Sequence, residues 1–455
     1  MADNDLSIPF VQSGSYPVRP GNEVRPLVDG VPAFRRICEA IEVATSRVWA
    51  TVTFMWATFE MPDERGTALD VLDRAAARGV DVRLIFWRPD RETENLKPNA
   101  FWGSADHCRQ LEIRRSGVQI RWDRAHPGFC QHQKSWLIDA GDDNERAFVG
   151  GINLNPNSMV SPGHHGGGGN HDVYVELAGP STVDVHHNFA QRWNEASERL
   201  AADGRWGSEC TIDLPFPTHV PIQQGNALVQ IQRTIHRGRY ANGDATPGGS
   251  AFDIASGEQS IFDQYCAAIH AARRSIYVEN QYITVGEIVS ALDHALRRGV
   301  EVVIVLPAEP QSVAEYVPRE QQAFFDAWAA LGAYENFTLA GLAGLGADGQ
   351  RKPVYIHAKL MLVDGIWATI GSGNMHRFSL FGNAEMNAAF WSPTTVHTFR
   401  CALFQEHLDH DTSHLDDRAA LRYFRTVALE NRTRCNAGNH TWQGLAFTLD
   451  PARYG

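Results

Sequence analysis

The chain has 455 residues, 43% of them hydrophobic, and a formal net charge of −12. That length exceeds what one hydrophobic core usually holds, so two domains or one bilobal body are expected. The acidic balance argues against broad nucleic-acid binding, no apolar run approaches the ~18–20 residues of a membrane span, and the start, MADNDLSIPFVQSG, lacks the basic-then-apolar order of a secretory signal.

In chain order, residues 1–25 read as an extended leader with Pro, Gly and Ser. A first α/β unit is expected over 26–205. It contains a strand candidate at Arg47–Phe54 (RVWATVTF). LDRAAARGVDVRLIF, from Leu72, then reads as a helix, a glycine stop and a buried strand. The unit ends in the helical VDVHHNFAQRWNEASERLAA. Residues 206–250, rich in Pro, Gly and Gln, read as a linker crossing between lobes. A second unit is expected over 251–455, with a strand candidate at Ser275–Val278 and LDHALRRGVEVVIVL, from Leu292, repeating the helix–Gly–strand pattern. The chain therefore reads as two copies of one α/β unit. The seven cysteines (38, 108, 130, 210, 266, 401 and 435) are scattered and include no C-x-x-C pair, which points to reduced thiols and no zinc site.

Each unit carries His-x-Lys-x-x-x-x-Asp: His132, Lys134 and Asp139 in HQKSWLID, then His357, Lys359 and Asp364 in HAKLMLVD. Each copy is followed by a small-residue turn and an asparagine, Gly150-Gly151-Ile152-Asn153 and Gly371-Ser372-Gly373-Asn374. Two imidazoles, two ammonium groups and two amides suit a phosphodiester. One imidazole can attack phosphorus and the other can protonate the leaving oxygen, while the cations and amides hold phosphoryl oxygens. On a strand, residues i and i+2 share a face, so each His–Lys pair can point into one site. Asp139 and Asp364 would then face away and serve structure. Asp172 (in HDVYVEL) and Glu385 (in NAEMNAAF), each opening a later apolar strand, are better placed to take the Nδ1–H of a histidine. Gly151 and Ser372 would let backbone approach the substrate. No metal or cofactor is needed, and no Asp/Glu/His grouping in the sequence reads as a metal set. His164, His165, His186 and His187 read as solvated surface. The glycine run GHHGGGG (163–169) reads equally as a spacer or as a mobile rim of the site.

These motifs resemble the phospholipase D superfamily, and within it the two-motif, eukaryotic-like phospholipases. IYVENQYI (276–283), HDVYVELAGPSTVDVHHNFAQRWN (171–194) and FRCALFQEHL (399–408) resemble further segments of that family. The resemblance implies a duplicated α/β sandwich with one active site at the interface of two similar lobes. It also implies metal-independent catalysis through a phosphohistidine, and hydrolysis or alcohol exchange of phospholipids. By position, His132 would be the nucleophile and His357 the general acid and then base. Lys134, Lys359, Asn153 and Asn374 would bind the phosphate, Gln281 would bind substrate, and Asp172 and Glu385 would orient the histidines. The chain departs from the pattern in its first turn, which is Gly-Gly where Gly-Ser is usual, and in INLNPNS after it.

The expected function is a phospholipase D that converts glycerophospholipids, phosphatidylcholine or phosphatidylethanolamine, to phosphatidic acid. Rival readings are a nuclease of the superfamily, a cardiolipin-forming phosphatidyltransferase, a scaffold that has lost catalysis, and an exported lipase effector. Intact His, Lys and Asn in both units argue against the scaffold. The expected partner is a phospholipid membrane surface, met from the cytoplasm or after export without a classical signal, and a monomer suffices for the site. Phe101, Trp102, Phe378, Leu380 and Phe381 are candidates for an apolar rim. Trp56, Trp87, Trp102, Tyr282 and Phe378 are candidates for a face against a quaternary ammonium.

Overall fold

The computed structural model describes residues 7–89, 110, 113–197, 213–308 and 322–453. Phe101 and Trp102 lie outside them.

Two mixed sheets repeat one strand order. The first runs Arg19–Val28, Val173–Ala178, Arg146–Gly150, Ser135–Ile138, Arg47–Val52, Asp81–Trp87, Gln119–Asp123. The second runs Ala227–Ile235, Glu385–Trp391, Trp367–Gly371, Leu360–Val363, Ser275–Glu279, Glu301–Val305, Phe337–Leu345. In both, the first five strands pair antiparallel and the last two are added in parallel. The predicted helix–Gly–strand repeats appear as Ala68–Ala77 before Asp81–Trp87 and Gly286–Arg297 before Glu301–Val305. Gly79 and Gly299, at φ 88° and 81°, take the left-handed turn that ends each helix. The fold is thus the expected duplicated α/β sandwich.

Alternation along the central strands feeds a layer on each face. Val48, Ala50 and Val52 pack with Phe34, Ile37 and Leu72 of helices Gly30–Val43 and Ala68–Ala77, and Ile276, Val278 and Ile304 do the same with Ile261, Tyr265 and Leu292. The opposite faces share one cluster drawn from both halves. In it, Trp49 and Leu137 meet Phe189 and Trp193, and Tyr277 and Val303 meet Phe404 and Phe424.

Two expected boundaries change. The leader is not extended chain ahead of the fold: Arg19–Val28 is a sheet strand, Tyr16 is buried, and the Val11 amide donates to Gln264 of the second half. The expected linker contains Ala227–Ile235, which pairs with Glu385–Trp391 over seven residues and antiparallel with the first strand at Arg19↔Val229, joining the two sheets. Val229 and Ile231 enter the shared core, and the alternating polar Gln230 and Gln232, with Arg233, are buried in hydrogen-bond networks. His186 and His187 are also buried, not solvated: His186 packs on Trp49, and His187 Nδ1 lies 3.2 Å from the Tyr16 hydroxyl. No helix among the described residues is long and apolar enough to cross a membrane.

Candidate functional site

The two motifs enter their sheets in the same way. The regular strands begin at Ser135 and Leu360, one residue after each lysine, so the histidines and lysines sit on the approach to the strand rather than within it. Asp139 and Asp364 close the far ends. Both hold left-handed backbone, φ 52° and 54°. Asp139 accepts the amides of Thr45 and Ser46, and Asp364 those of Arg273, Arg274 and Ser275. Each carboxylate thereby fixes the turn that leads into its neighbouring central strand.

The histidines are held across the halves. A bridge between Gln131 and Ala384, with the His132 amide donating to the Ala384 carbonyl at 2.8 Å, sets His132 beside Glu385. Its Nδ1 lies 3.0 and 2.9 Å from the two Glu385 oxygens. Reciprocally, the amides of His357 and Ala358 donate to the His171 carbonyl, and Asp172 Oδ2 lies 2.5 Å from His357 Nδ1. The first motif's imidazole is oriented by a carboxylate of the second half, and the second motif's by one of the first. A carboxylate on Nδ1–H leaves Nε2 as the basic nitrogen of a neutral ring.

The supporting groups explain the unequal turns. Glu385 also takes the hydroxyls of Ser372 and Ser379, each at 2.6 Å, and the Asn383 amide at 3.3 Å. Asp172, one methylene shorter, sits so close to the first turn that a Cβ on Gly151 would lie 2.4 Å from its Oδ1. The turn before the aspartate has no room for a side chain, while the turn before the glutamate carries a hydroxyl that binds it. Gly151 and Ser372 therefore stand behind the carboxylates; these two, expected beside the substrate, and Lys134 and Lys359 are not among the residues lining the cavity.

Lys134 Nζ donates to the His132 carbonyl at 2.7 Å and to Thr53 at 3.3 Å; Lys359 Nζ donates to the His357 carbonyl and to Gln281 Oε1 at 3.4 Å. Gln281 Oε1 also accepts from Asn374 Nδ2 at 3.2 Å, and its own amide donates to Tyr355 at 2.6 Å. The side-chain oxygens of Asn153 and Asn374 are buried without a hydrogen-bond partner. His132, His357, Asn153, Asn374 and Gln281 line one cavity of about 870 Å³. Phe54, Trp56, Trp87, Phe129, Tyr282 and Phe378 form much of its wall. Four of the aromatic candidates from sequence are thus together. Of the rim candidates, Phe378 is 42% exposed at the cavity, Leu380 is fully buried, and Phe381 packs on Phe262. Gly169 of the glycine run reaches the cavity wall.

The electrostatics differ between the half-sites. Burial pushes Asp172 up to about 7, against Lys359 and the Val173 amide. Glu385 is buried as deeply, but the charges of His132 and Lys134 outweigh that and hold it below its usual value. Burial lowers His132 despite Glu385. It also lowers Lys134 to about 8 and Lys359 to about 7. Glu385 is thus held as the ionised carboxylate, while burial holds Asp172 closer to its neutral form.

Several supports were invisible in sequence. Thr53, Ser379, Asn383 and Tyr355 belong to no repeat and are brought in only by tertiary contact. Nor does the expectation of no metal-type grouping survive: Asp29, His164, His171 and Glu406 bring one ligand atom each within 4.8 Å of one another, as do His171, Glu279 and His407.

The comparisons agree with this architecture. A family model described as "Cardiolipin synthase, PLD-like domain" matches residues 37–193 and 265–407, and one described as "Phospholipase D" matches 167–295. Cardiolipin synthase A of Pseudomonas entomophila is 26% identical over 82% of this chain and 66% of its own length. Phospholipase D alpha 2 of Oryza sativa is 24% identical over 77% of this chain and 59% of its own. Phospholipase D alpha 1 of Arabidopsis thaliana is 24% identical over 74% and 58%. The chain spans about three fifths to two thirds of these relatives. Among solved structures, the phosphatidylserine synthase of Haemophilus influenzae Rd KW20 superposes with a TM-score of 0.52 at 12% identity, covering 82% of this chain and 83% of that one, and shares the fold. The chain belongs to the phospholipase D superfamily.

Proposed function

We propose that this protein transfers the phosphatidyl group of a glycerophospholipid, through a phosphohistidine, to water or to an alcohol. The reading rests chiefly on one observation: the crossed pairs His132–Glu385 and Asp172–His357 facing a single cavity. His132 Nε2 attacks phosphorus, the bond to the headgroup oxygen breaks, and His357 gives that oxygen its proton. His357 then takes a proton from water or an acceptor alcohol. The new oxygen attacks phosphorus and the P–N bond breaks, which regenerates both rings. In this assignment the nucleophile starts neutral and the acid starts with a proton. Lys134, Lys359, Asn153, Asn374 and Gln281 meet the charge that grows on the phosphoryl oxygens. Phe378 and the neighbouring aromatic wall accommodate lipid, so the protein works at a membrane surface.

A phospholipase D forming phosphatidic acid and a transferase using an alcohol acceptor share this first half-reaction and differ in the second. The likeness to cardiolipin synthase A over 82% of the chain gives the transfer reading its support. The test is a panel of phosphatidylcholine, phosphatidylethanolamine and phosphatidylglycerol vesicles, with and without added glycerol, read for headgroup release, phosphatidic acid and exchanged lipid. Headgroup release that requires both His132 and His357 supports the proposal. Turnover of nucleic acid with none of any phospholipid would reject it.

A further inference from the structure

Beside the cavity, where the two halves meet, lies a second polar centre that the proposed mechanism does not use. Asp29 sits between Arg19–Val28 and the helix Gly30–Val43, His164 lies in the glycine run, His171 precedes Asp172, and Glu406 lies on the helix Pro393–Leu408. Asp29, His164 and His171 are at most 1% exposed and Glu406 is 9% exposed. His164 Nε2 lies 3.4 Å from Asp29 Oδ2 and 3.4 Å from Glu406 Oε1; His171 Nδ1 lies 3.1 Å from Asp29 Oδ1 and 3.7 Å from Glu406 Oε1. Four N or O ligands at about 2.0–2.1 Å from one tetrahedral ion stand about 3.3–3.4 Å from each other; the four distances above bracket that spacing, with Asp29 offering a different oxygen to each ring. Asp29 Oδ2, His164 Nε2, His171 Nδ1 and Glu406 Oε2 have no hydrogen-bond partner, while Glu406 Oε1 accepts the Gly163 amide at 3.1 Å.

The outer contacts orient the rings toward the same point. His164 Nδ1 lies 3.0 Å from the Gly168 carbonyl, and His171 Nε2 lies 2.8 Å from Glu279 Oε2. Each acceptor holds a proton on the far nitrogen, so in a neutral ring the near nitrogen turns its lone pair toward two carboxylates. Backbone carbonyls and carboxylates in this position are the usual supports of metal-binding histidines. Glu279 is itself tied by the Tyr277 hydroxyl at 2.6 Å. Two imidazoles and two carboxylates converging in a dry interior are balanced either by a second proton on each ring or by one cation between them.

We propose that Asp29, His164, His171 and Glu406 bind one divalent metal ion of the zinc type. The donor set is two imidazoles and two carboxylates, which suits zinc in a four-coordinate structural site. With neutral histidines, the ion balances Asp29 and Glu406. It stands apart from the reaction, since His132 and His357 face the cavity and none of the four ligands lines it. Its work is positional. The His171 carbonyl receives the amides of His357 and Ala358, and the next residue, Asp172, holds the His357 ring. The ion would pin the glycine run, the start of the first helix and a helix of the second half to that one point.

The test measures metal, not lipid turnover. Wild type, His164→Gln and His165→Gln are stripped with a chelator, dialysed against zinc, and assayed for bound metal by mass spectrometry and for thermal midpoint. His165 is exposed and serves as the control for surface binding. Wild type and His165→Gln should each hold about one zinc, with a midpoint that falls on stripping and returns with zinc. His164→Gln should bind at least about tenfold more weakly and its midpoint should not respond to zinc. The wild-type titration decides the matter even if His164→Gln folds poorly. A wild-type chain that takes up no zinc, or a folded His164→Gln that holds it as tightly as wild type, overturns the site and leaves a cluster of protonated histidines and carboxylates. Either result stands independently of whether the protein acts on phospholipids.

Discussion

Replacing Glu385 by Gln probes the orientation of the nucleophile with little change of shape. In the wild type four donors converge on this fully buried carboxylate: His132 Nδ1, the hydroxyls of Ser372 and Ser379, and the Asn383 amide. A glutamine can keep its oxygen toward Ser379 and Asn383. Its NH₂ then faces Ser372, whose hydroxyl can rotate to accept, and His132, whose Nδ1 can accept only by moving its proton to Nε2. The nitrogen that must attack phosphorus is then the protonated one, and the charge that steadied the imidazolium is gone. Loss of a triad carboxylate by this route costs on the order of 10⁴ in turnover, about 5.5 kcal/mol of barrier. Stability should change far less. One charge-assisted hydrogen bond worth about 1.5–3 kcal/mol is lost, offset by no longer burying a charge. The assay is headgroup release from the phospholipid that wild type turns over fastest, alongside thermal unfolding and a pH profile. Removing the Glu385 pull should also lower the His132 pKa further, so the acid limb of the profile should move down. A folded Glu385→Gln protein within about tenfold of wild type would refute the account of His132.

Other outcomes follow from the same contacts. Lys134 and Lys359 titrate at about 8 and about 7 in the free site, so each is a cation below those values and is neutralised as pH rises through them. The kcat/KM should therefore decline on the alkaline side from about pH 7 to 8, while kcat, measured with the anionic phosphate already bound, should persist to higher pH; a flat kcat/KM to pH 9 would rule out that role. Gly151→Ala should place its Cβ against Asp172 Oδ1 and push it from His357, lowering turnover by on the order of 10²-fold with some loss of stability, whereas Ser372→Ala removes only a donor to Glu385 and should cost less than about tenfold; the reverse order would contradict the packing argument. Phe378→Ser should weaken action on vesicles more than on a soluble short-chain substrate, whereas Phe381→Ser, which removes a ring packed on Phe262, should lower the unfolding temperature first. Equal losses on both substrates for Phe378→Ser would place that ring in the core.

The repeat made the fold legible. Helix–Gly–strand segments from Leu72 and Leu292, and matched motifs after them, predict two copies of one sheet, because period and punctuation are local properties. The strand Ala227–Ile235 escaped since both its faces are buried: Val229 and Ile231 pack in the shared core, while Gln230, Gln232 and Arg233 are satisfied largely by partners from elsewhere, such as Gln264 and Asn188. In the site, the histidines, lysines and asparagines could be named from spacing, and Asp172 and Glu385 from their place at the start of strands. That the carboxylates cross between halves could not, since strand pairing decides it. Nor could Asp29, His164, His171 and Glu406, gathered from distant parts of the chain, announce a common centre. The Gly-Gly turn reads in sequence as a departure from the family pattern; in the fold it is the space that a shorter carboxylate requires.

The central claim is that two half-sites make one phosphatidyl-transfer centre with His132 as its covalent group. It is tested most directly by mass spectrometry of protein quenched during turnover of a phospholipid analogue whose leaving group needs no proton. His357→Ala should lose the base that resolves the intermediate and accumulate a phosphatidyl adduct on the peptide containing His132, and His132→Ala should accumulate none. An adduct on His357 with none on His132 would reverse the roles, and the absence of any adduct in a folded, substrate-binding His357→Ala protein would contradict the covalent mechanism.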